Sequence, residues 1–169
     1  NFSNFEEPSS AADPANLGQL EKTENVNRLP EVNSAEEAAM DTALLELDNV
    51  DGANFRPTMD WVVSTAWPLA LTRNGCRVVQ KAIDVGSLKD QKAIAEKLHG
   101  RVLEAMLSPH ANHVLKKCIE ILPGESMFFV LTELQGNGAF AARHRFGCRI
   151  LQRLIEHCPA SQAEGIISE

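Results

Sequence analysis

One segment of the sequence recurs twice at a constant spacing of 36 residues, and this repeat limits the possible folds more than any other feature. The copies begin at Asn74, His110 and Phe146 and read NGCRVVQKAID, HANHVLKKCIE and FGCRILQRLIE. No alternation of polar and apolar residues separates them, so each repeat is predicted to be a cluster of short helices. A unit of this size cannot bury its own apolar face and must stack on its neighbours. The predicted fold class is therefore all-α, an α-solenoid of stacked repeats.

The repeated helix has two opposed faces when its residues are spaced at about 100°. The apolar face is predicted to form the core: Val78, Val79, Ala82 and Ile83, then Val114, Leu115, Cys118 and Ile119, then Ile150, Leu151, Leu154 and Ile155. The other face is predicted to point outward: Cys76, Arg77 and Gln80, then Asn112, His113 and Lys116, then Cys148, Arg149 and Gln152. In-register stacking would align these nine residues on one concave surface.

The outward residues have a chemistry that suits nucleobases. Cysteine is among the residues most often buried, so its return at an outward position is unusual for a face that is merely solvated. Arginine or histidine beside it offers a flat cationic group that can stack on a base, and glutamine offers both a donor and an acceptor. Any solenoid helix also has a polar solvated face, so the pattern alone leaves a purely structural role open.

The charge distribution predicts a boundary near residue 58. Residues 1–58 carry 12 acidic and 3 basic side chains, whereas residues 59–169 carry 11 acidic and 13 basic ones. Residues 1–58 are predicted to be a disordered acidic region with one short helix over 34–47 that either packs on the domain edge or binds a partner. Residues 59–169 are predicted to be a partial repeat array with long helices near 75–86, 111–121 and 147–158. The start at Asn1 and the end within an amphipathic pattern favour a fragment of a longer protein.

Other chemistries are weakly supported. The GNGAFA segment fits a dinucleotide-binding fingerprint, but a predicted helix and not a strand precedes it. His110 and His113 have no further convergent ligand, and the cysteines form no CxxC pair, so neither a metal nor another cofactor is expected. A nucleophilic cysteine at 76 or 148 would not explain why the residue recurs with the repeat. The sequence therefore predicts no enzyme and no small-molecule substrate, and no apolar run is long enough for membrane insertion.

The segments GCRVVQKAID, NHVLKKCIEILP and FGCRILQRLIEHC resemble the repeats of the Pumilio/FBF (PUF) family of RNA-binding proteins. The resemblance extends over residues 61–169 and is greatest to the third, fourth and fifth of eight repeats. It implies that each repeat consists of three helices and binds one base of single-stranded RNA, and PUF repeats are a standard example of such a code. The implied role is post-transcriptional regulation in the cytoplasm, with bound messenger RNAs repressed or destabilised by recruited decay or translation-repression factors.

The resemblance also implies a role for each outward residue. Cys76, Gln80, Asn112, Lys116, Cys148 and Gln152 would contact base edges, whereas Arg77, His113 and Arg149 would stack between bases. Because the family binds RNA antiparallel to its repeats, the implied element is 5′-A-N-A-3′ within a UGUA-type site of a 3′-untranslated region. From their position beside this face, Lys81, Lys117 and Arg153 are expected to bind phosphates.

The middle copy departs from the family pattern. Ala111 stands in place of a glycine, and Lys116 stands in place of a glutamine and cannot accept a hydrogen bond. Lys116 is expected to bind a phosphate or a base carbonyl, which leaves this position loosely specific. The alternative function is a protein-binding α-solenoid or a PUF-like factor of ribosome biogenesis.

Overall fold

The computed structural model describes residues 34–168, and the expectation of disorder for residues 1–33 lies outside them. Eleven α-helices and one 3-10 helix occupy this range, which contains no strand. The α-helices are α1 Ser34–Asp48, α2 Phe55–Ser64, α3 Ala66–Ala70, α4 Arg73–Val85, α5 Leu88–Glu96, α6 Val102–Leu107, α7 Ala111–Ile121, α8 Phe128–Leu134, α9 Gly138–Arg143, α10 Gly147–His157 and α11 Ala160–Ile167. The 3-10 helix, Gly124–Met127, leads directly into α8. No helix between residues 34 and 168 has the length and apolarity needed to cross a membrane.

The helices recur in groups of three, as the family resemblance implies. One group is α2, α3 and α4, the next is α5, α6 and α7, and the third is α8, α9 and α10. Ser87 starts α5 with a capping box, in which its hydroxyl accepts from the Asp90 amide and the Asp90 carboxylate accepts from the Ser87 amide. Gly100 and Gly136, one period apart, have φ of 75° and 79°, a conformation that only glycine adopts without strain. The three-helix solenoid is confirmed.

Four long helices lie side by side in the order α1, α4, α7 and α10 and form what we call the helix row. Ten of the twelve predicted core residues on the row are fully buried: Val78, Val79, Ala82, Ile83, Val114, Leu115, Cys118, Ile119, Ile150 and Leu154. The other two lie on α10, where Leu151 is half-buried and Ile155 is 52% exposed. The prediction that Ile155 lies in the core is wrong, because within residues 34–168 a row helix packs on only one side of α10.

Helix α1 begins and ends close to the predicted helix over 34–47. The predicted boundary near residue 58 placed it outside the repeat array, but it packs against the array. Its residues Ala43 and Leu47 are 3% and 0% exposed, and it packs along α4. The chain then continues without a break into α2, where Met59 and Val62 are fully buried. The folded unit therefore includes residues 34–58. The acidic residues of this segment make its net charge negative, but they do not prevent burial of its apolar stripe.

Candidate nucleic-acid interface

The three predicted stacking residues are exposed at equivalent positions of the helix row. Arg77, His113 and Arg149 each lie in the first turn or two of their helix, on α4, α7 and α10 respectively. The residue that follows each of them in sequence, Val78, Val114 or Ile150, is buried at 1% or less. The three stacking residues are themselves exposed and lie one 36-residue period apart on successive helices of the row, so their planar groups lie on the same side of it.

The first base-edge position is less accessible than the sequence indicates in two of the three copies. Cys76 is only 4% exposed and Asn112 only 6% exposed, so both are far less accessible than an outward position suggests. Each lies on a helix that has a row neighbour on both sides. The Cys76 thiol donates to the Arg73 carbonyl at 3.2 Å, and the Asn112 amide nitrogen donates to the Ser108 carbonyl at 2.6 Å. Burial raises the pKa of the Cys76 thiol, an effect that Arg77 partly opposes, so the thiol stays protonated at neutral pH.

The third copy presents its residues openly. Cys148, Arg149 and Gln152 are all exposed. Cys148 and Gln152 line one side of an apolar groove of about 420 Å³, together with Ala142, Leu151, Ile155 and Glu156. Within the described residues, α10 is thus the row helix with the complete predicted triplet at the surface.

The second base-edge position is partly engaged within each helix. The Gln80 amide nitrogen donates to the Cys76 carbonyl at 3.0 Å, and the Gln152 amide nitrogen donates to the Glu156 carboxylate at 2.9 Å. Lys116, at the equivalent place on α7, lies 3.8 Å from the Glu120 carboxylate. A primary amide carries two N–H donors and an accepting oxygen, so either glutamine can bind a base without giving up this bond. A nearby carboxylate partly balances the charge of Lys116.

Lys81, Lys117 and Arg153 form ion pairs between successive row helices. Lys81 on α4 pairs with Asp48 on α1. Lys117 Nζ on α7 lies 2.6 Å from Asp84 Oδ1 on α4, and Arg153 Nε on α10 lies 3.0 Å from Glu120 Oε1 on α7. The cations and the carboxylates are both spaced by 36 residues. We call this set the ion-pair ladder.

The ladder changes the role expected for its cations. Each was predicted to bind an RNA phosphate, but each has a carboxylate of the preceding helix as a partner, which balances the charge that a phosphate contact would use. The acidic members were not predicted. Their own 36-residue spacing, Asp48, Asp84, Glu120 and Glu156, was the signal that could have identified them.

Other candidate sites are not supported by geometry. Between residues 34 and 168, no three histidine, cysteine or acidic side chains come together in a way that could hold a metal ion. The pKa of His110 is lowered, first by burial and then by the nearby positive groups His113 and Arg73. Cys118 is fully buried, and burial raises the pKa of its thiol to about 12, which leaves it a packing residue.

A protein-family model for the Pumilio-family RNA binding repeat matches residues 68–99, 101–134 and 142–169, more than half of the chain. The chain belongs to the Pumilio family. Each of the three matched stretches contains one of the helices α4, α7 and α10. The family suggested by the GCRVVQ and GCRILQ segments is therefore confirmed.

Two curated Pumilio relatives illustrate the degree of similarity. The Pumilio domain-containing protein C6G9.14 of Schizosaccharomyces pombe is 29% identical over 101 residues, which are 59% of this chain and 15% of that protein. Pumilio homolog 1 of Xenopus laevis is 38% identical over 79 residues, 47% of this chain and 7% of that protein. The chain thus spans less than a fifth of the length of these Pumilio relatives.

A solved Pumilio-family structure shows the same helix arrangement. The Puf3 RNA binding domain bound to the Cox17 RNA 3′ UTR recognition sequence site B superposes with a TM-score of 0.70 at 27% identity. The match covers 75% of this chain and 36% of that one. PUF-8 in complex with PBE-RNA has a TM-score of 0.69 at 22% identity and shows the shared fold.

Proposed function

We propose that this chain binds single-stranded RNA sequence-specifically, with α4, α7 and α10 each contacting one base. The observation that carries the proposal is the regular exposure of Arg77, His113 and Arg149 along the helix row, beside the partly or fully exposed residues Gln80 and Gln152. A planar cation can stack on a base. Proteins that bind single strands commonly place such side chains between successive bases. The Puf3 domain that superposes on this chain is itself bound to an RNA recognition sequence, which supports the proposal.

The proposed element is 5′-A-N-A-3′ within a UGUA-type site of a messenger RNA 3′-untranslated region. A glutamine amide can donate to adenine N1 and accept from the adenine amino group, which suits Gln80 and Gln152. Each glutamine amide uses one N–H within its own helix, and its second N–H and its oxygen supply the donor and acceptor that adenine requires. Lys116 supplies donors only, so the middle base is weakly discriminated.

The identical triplets on α4 and α10, Cys-Arg-Gln in both, offer a matched pair of positions at which to test the code. By the family code, Cys148→Ser with Gln152→Glu moves the preference at the 5′ base from adenine to guanine. The matched control is Cys76→Ser with Gln80→Glu, which makes the same change two repeats away and moves the preference at the 3′ base instead. Fluorescence anisotropy with RNAs that differ at one base measures both preferences.

The position of the change is the decisive readout. A protein-binding solenoid would show no base preference in the starting chain and none in either variant. If both variants bind the original element with unchanged preference at both ends, the proposed base contacts are wrong. By family resemblance, the biological consequence we propose is repression or decay of cytoplasmic messenger RNAs through recruited factors.

A further inference from the structure

Helix α1 occupies the place of a repeat's long helix without carrying its residues. Subtracting one period of 36 residues from the α4 triplet gives Met40, Asp41 and Leu44 on α1. The equivalence is structural as well as numerical, because α1 packs along α4 as α4 packs along α7. Ala43 and Leu47, which correspond to Val79 and Ile83, are buried in the same way.

The ion-pair ladder fixes the same register. Asp48 on α1 pairs with Lys81, just as Asp84 pairs with Lys117 and Glu120 with Arg153. Helix α1 therefore supplies the carboxylate that every other row helix supplies to its successor. At the cation position it has Leu45, which is 71% exposed. Helix α1 thus has the acidic member of the ion-pair ladder, Asp48, but no cation at the equivalent of Lys81.

The side chains at the base-contacting positions of α1 have the wrong chemistry for a base. Met40 and Leu44 have no hydrogen-bond donor and only a weak acceptor in the thioether, and both are partly buried against the core. Asp41 is exposed where Arg77 and Arg149 lie on their own helices. A carboxylate there repels RNA phosphates and offers no cationic plane for stacking.

We infer that α1 is a base-silent member of the helix row, so that it makes no base-specific contact with the RNA. This inference rests on the proposed function. Because the family binds RNA antiparallel to its repeats, the silent position is the base immediately 3′ of the A-N-A element. All four bases are then tolerated equally at that position, and Asp41 disfavours close approach of the strand there.

The test restores to α1 the triplet that α4 and α10 carry, through Met40→Cys, Asp41→Arg and Leu44→Gln in the full chain. The RNAs have one length, with A-N-A flanked by cytidines and with A, C, G or U at the position 3′ of the second adenine. The starting chain binds all four equally, and the triple variant prefers adenine there by about fivefold or more, since one stacked and paired base contributes on this scale. Anisotropy gives both sets of affinities.

A second variant guards against misfolding, because Met40 and Leu44 touch the core. Asp41→Arg changes an exposed residue only, and it raises the affinity for all four RNAs several-fold without creating a base preference. Discrimination by the starting chain at the 3′ position overturns the inference. So does a folded triple variant without adenine preference, or an Asp41→Arg variant without a gain in affinity. Failure of the proposed function gives a different result, since the starting chain would then bind RNAs with and without the two adenines of A-N-A with equal affinity.

Discussion

Asp90→Asn is expected to destabilise the fold by roughly 1–2 kcal/mol at neutral pH, through the loss of a buried carboxylate that joins α2 to α5. Both oxygens of Asp90 accept from the Arg56 guanidinium, at 2.8 and 3.1 Å, and one also accepts from the Ser87 hydroxyl at 2.6 Å. The carboxylate is only 6% exposed. An asparagine would turn an amide N–H toward the guanidinium donors.

The magnitude follows from the pKa of this carboxyl. The Arg56 hydrogen bonds, helped by Ser87 and opposed by burial, hold the pKa of Asp90 at about 2 instead of 3.8. This difference corresponds to roughly 2 kcal/mol, at about 1.4 kcal/mol for each tenfold change in acidity. The Arg56 side chain is 52% exposed, so solvent screening reduces the expected value to roughly 1–2 kcal/mol.

The sign of the pH dependence is fixed because the folded-state pKa is the lower one. The stabilisation is complete above the unfolded pKa near 4 and disappears as the pH falls toward about 2. Urea unfolding followed by far-ultraviolet circular dichroism, at neutral pH and at a series of acidic pH values, measures this effect. Asp90→Asn should lower the free energy of unfolding at neutral pH, and this free energy should then fall less steeply between about pH 4 and pH 2 than in the starting chain.

The matched control is Asp60→Asn, which removes the exposed partner of the same guanidinium. Asp60 is 66% exposed, so its loss should cost no more than about 0.5 kcal/mol. The reasoning is refuted if Asp90→Asn unfolds at the same urea concentration as the starting chain, or if the two variants are equally destabilised.

Three further substitutions test the core, a close backbone approach and the interface. Leu115→Ala, at a fully buried row position, should lower the free energy of unfolding by about 2–5 kcal/mol in urea titrations. Gly147→Ala would place a methyl group 2.4 Å from the Ala141 carbonyl oxygen and should cost about 1–3 kcal/mol by the same measurement. Glu156→Gln should tighten RNA binding by roughly threefold in anisotropy titrations, because it removes a carboxylate that engages Gln152 beside the bound strand.

The repeat spacing was sufficient to predict most of the helix row, because it fixes which side of each long helix meets its neighbours. It did not predict how far a neighbour covers the first base-edge position. Cys76 and Asn112 each donate to a backbone carbonyl three or four residues earlier, which lowers the cost of burying a polar side chain between helices. Pattern alone cannot distinguish such a residue from an exposed one.

The middle copy shows a local adjustment that spacing does not reveal. Ala111 occupies the place of Gly75 and Gly147, where an added methyl group would collide with backbone. Its helix accommodates the methyl group with a longer first hydrogen bond, 3.4 Å between the Asn112 amide and the Ser108 carbonyl. The equivalent bonds of Cys76 and Cys148 are 3.0 and 3.1 Å. The Ser108 hydroxyl additionally accepts from the Ala111 amide at 3.1 Å.

Helix α1 was missed as a row member because it lacks the Gly-Cys-Arg signature, although its apolar stripe was recognised. Packing requires only small and aliphatic residues at the buried positions, and Ala43 and Leu47 supply them. The outward positions are free to change without loss of the stack. Membership in the row and the ability to bind a base are therefore separate properties of a sequence.

The ion-pair ladder connects these two properties. Each exposed ion pair contributes only about 0.2–1 kcal/mol, so the ladder adds little to the total stability. Its effect is on alignment, because a slide of four residues, about 6 Å, would bring Lys117 opposite Gln80 in place of Asp84. The same slide would displace His113 by about 6 Å relative to Arg77. Pairing at Asp48, Asp84 and Glu120 therefore favours the one alignment in which the planar side chains lie level along the row, which is the alignment that binding one base per repeat requires.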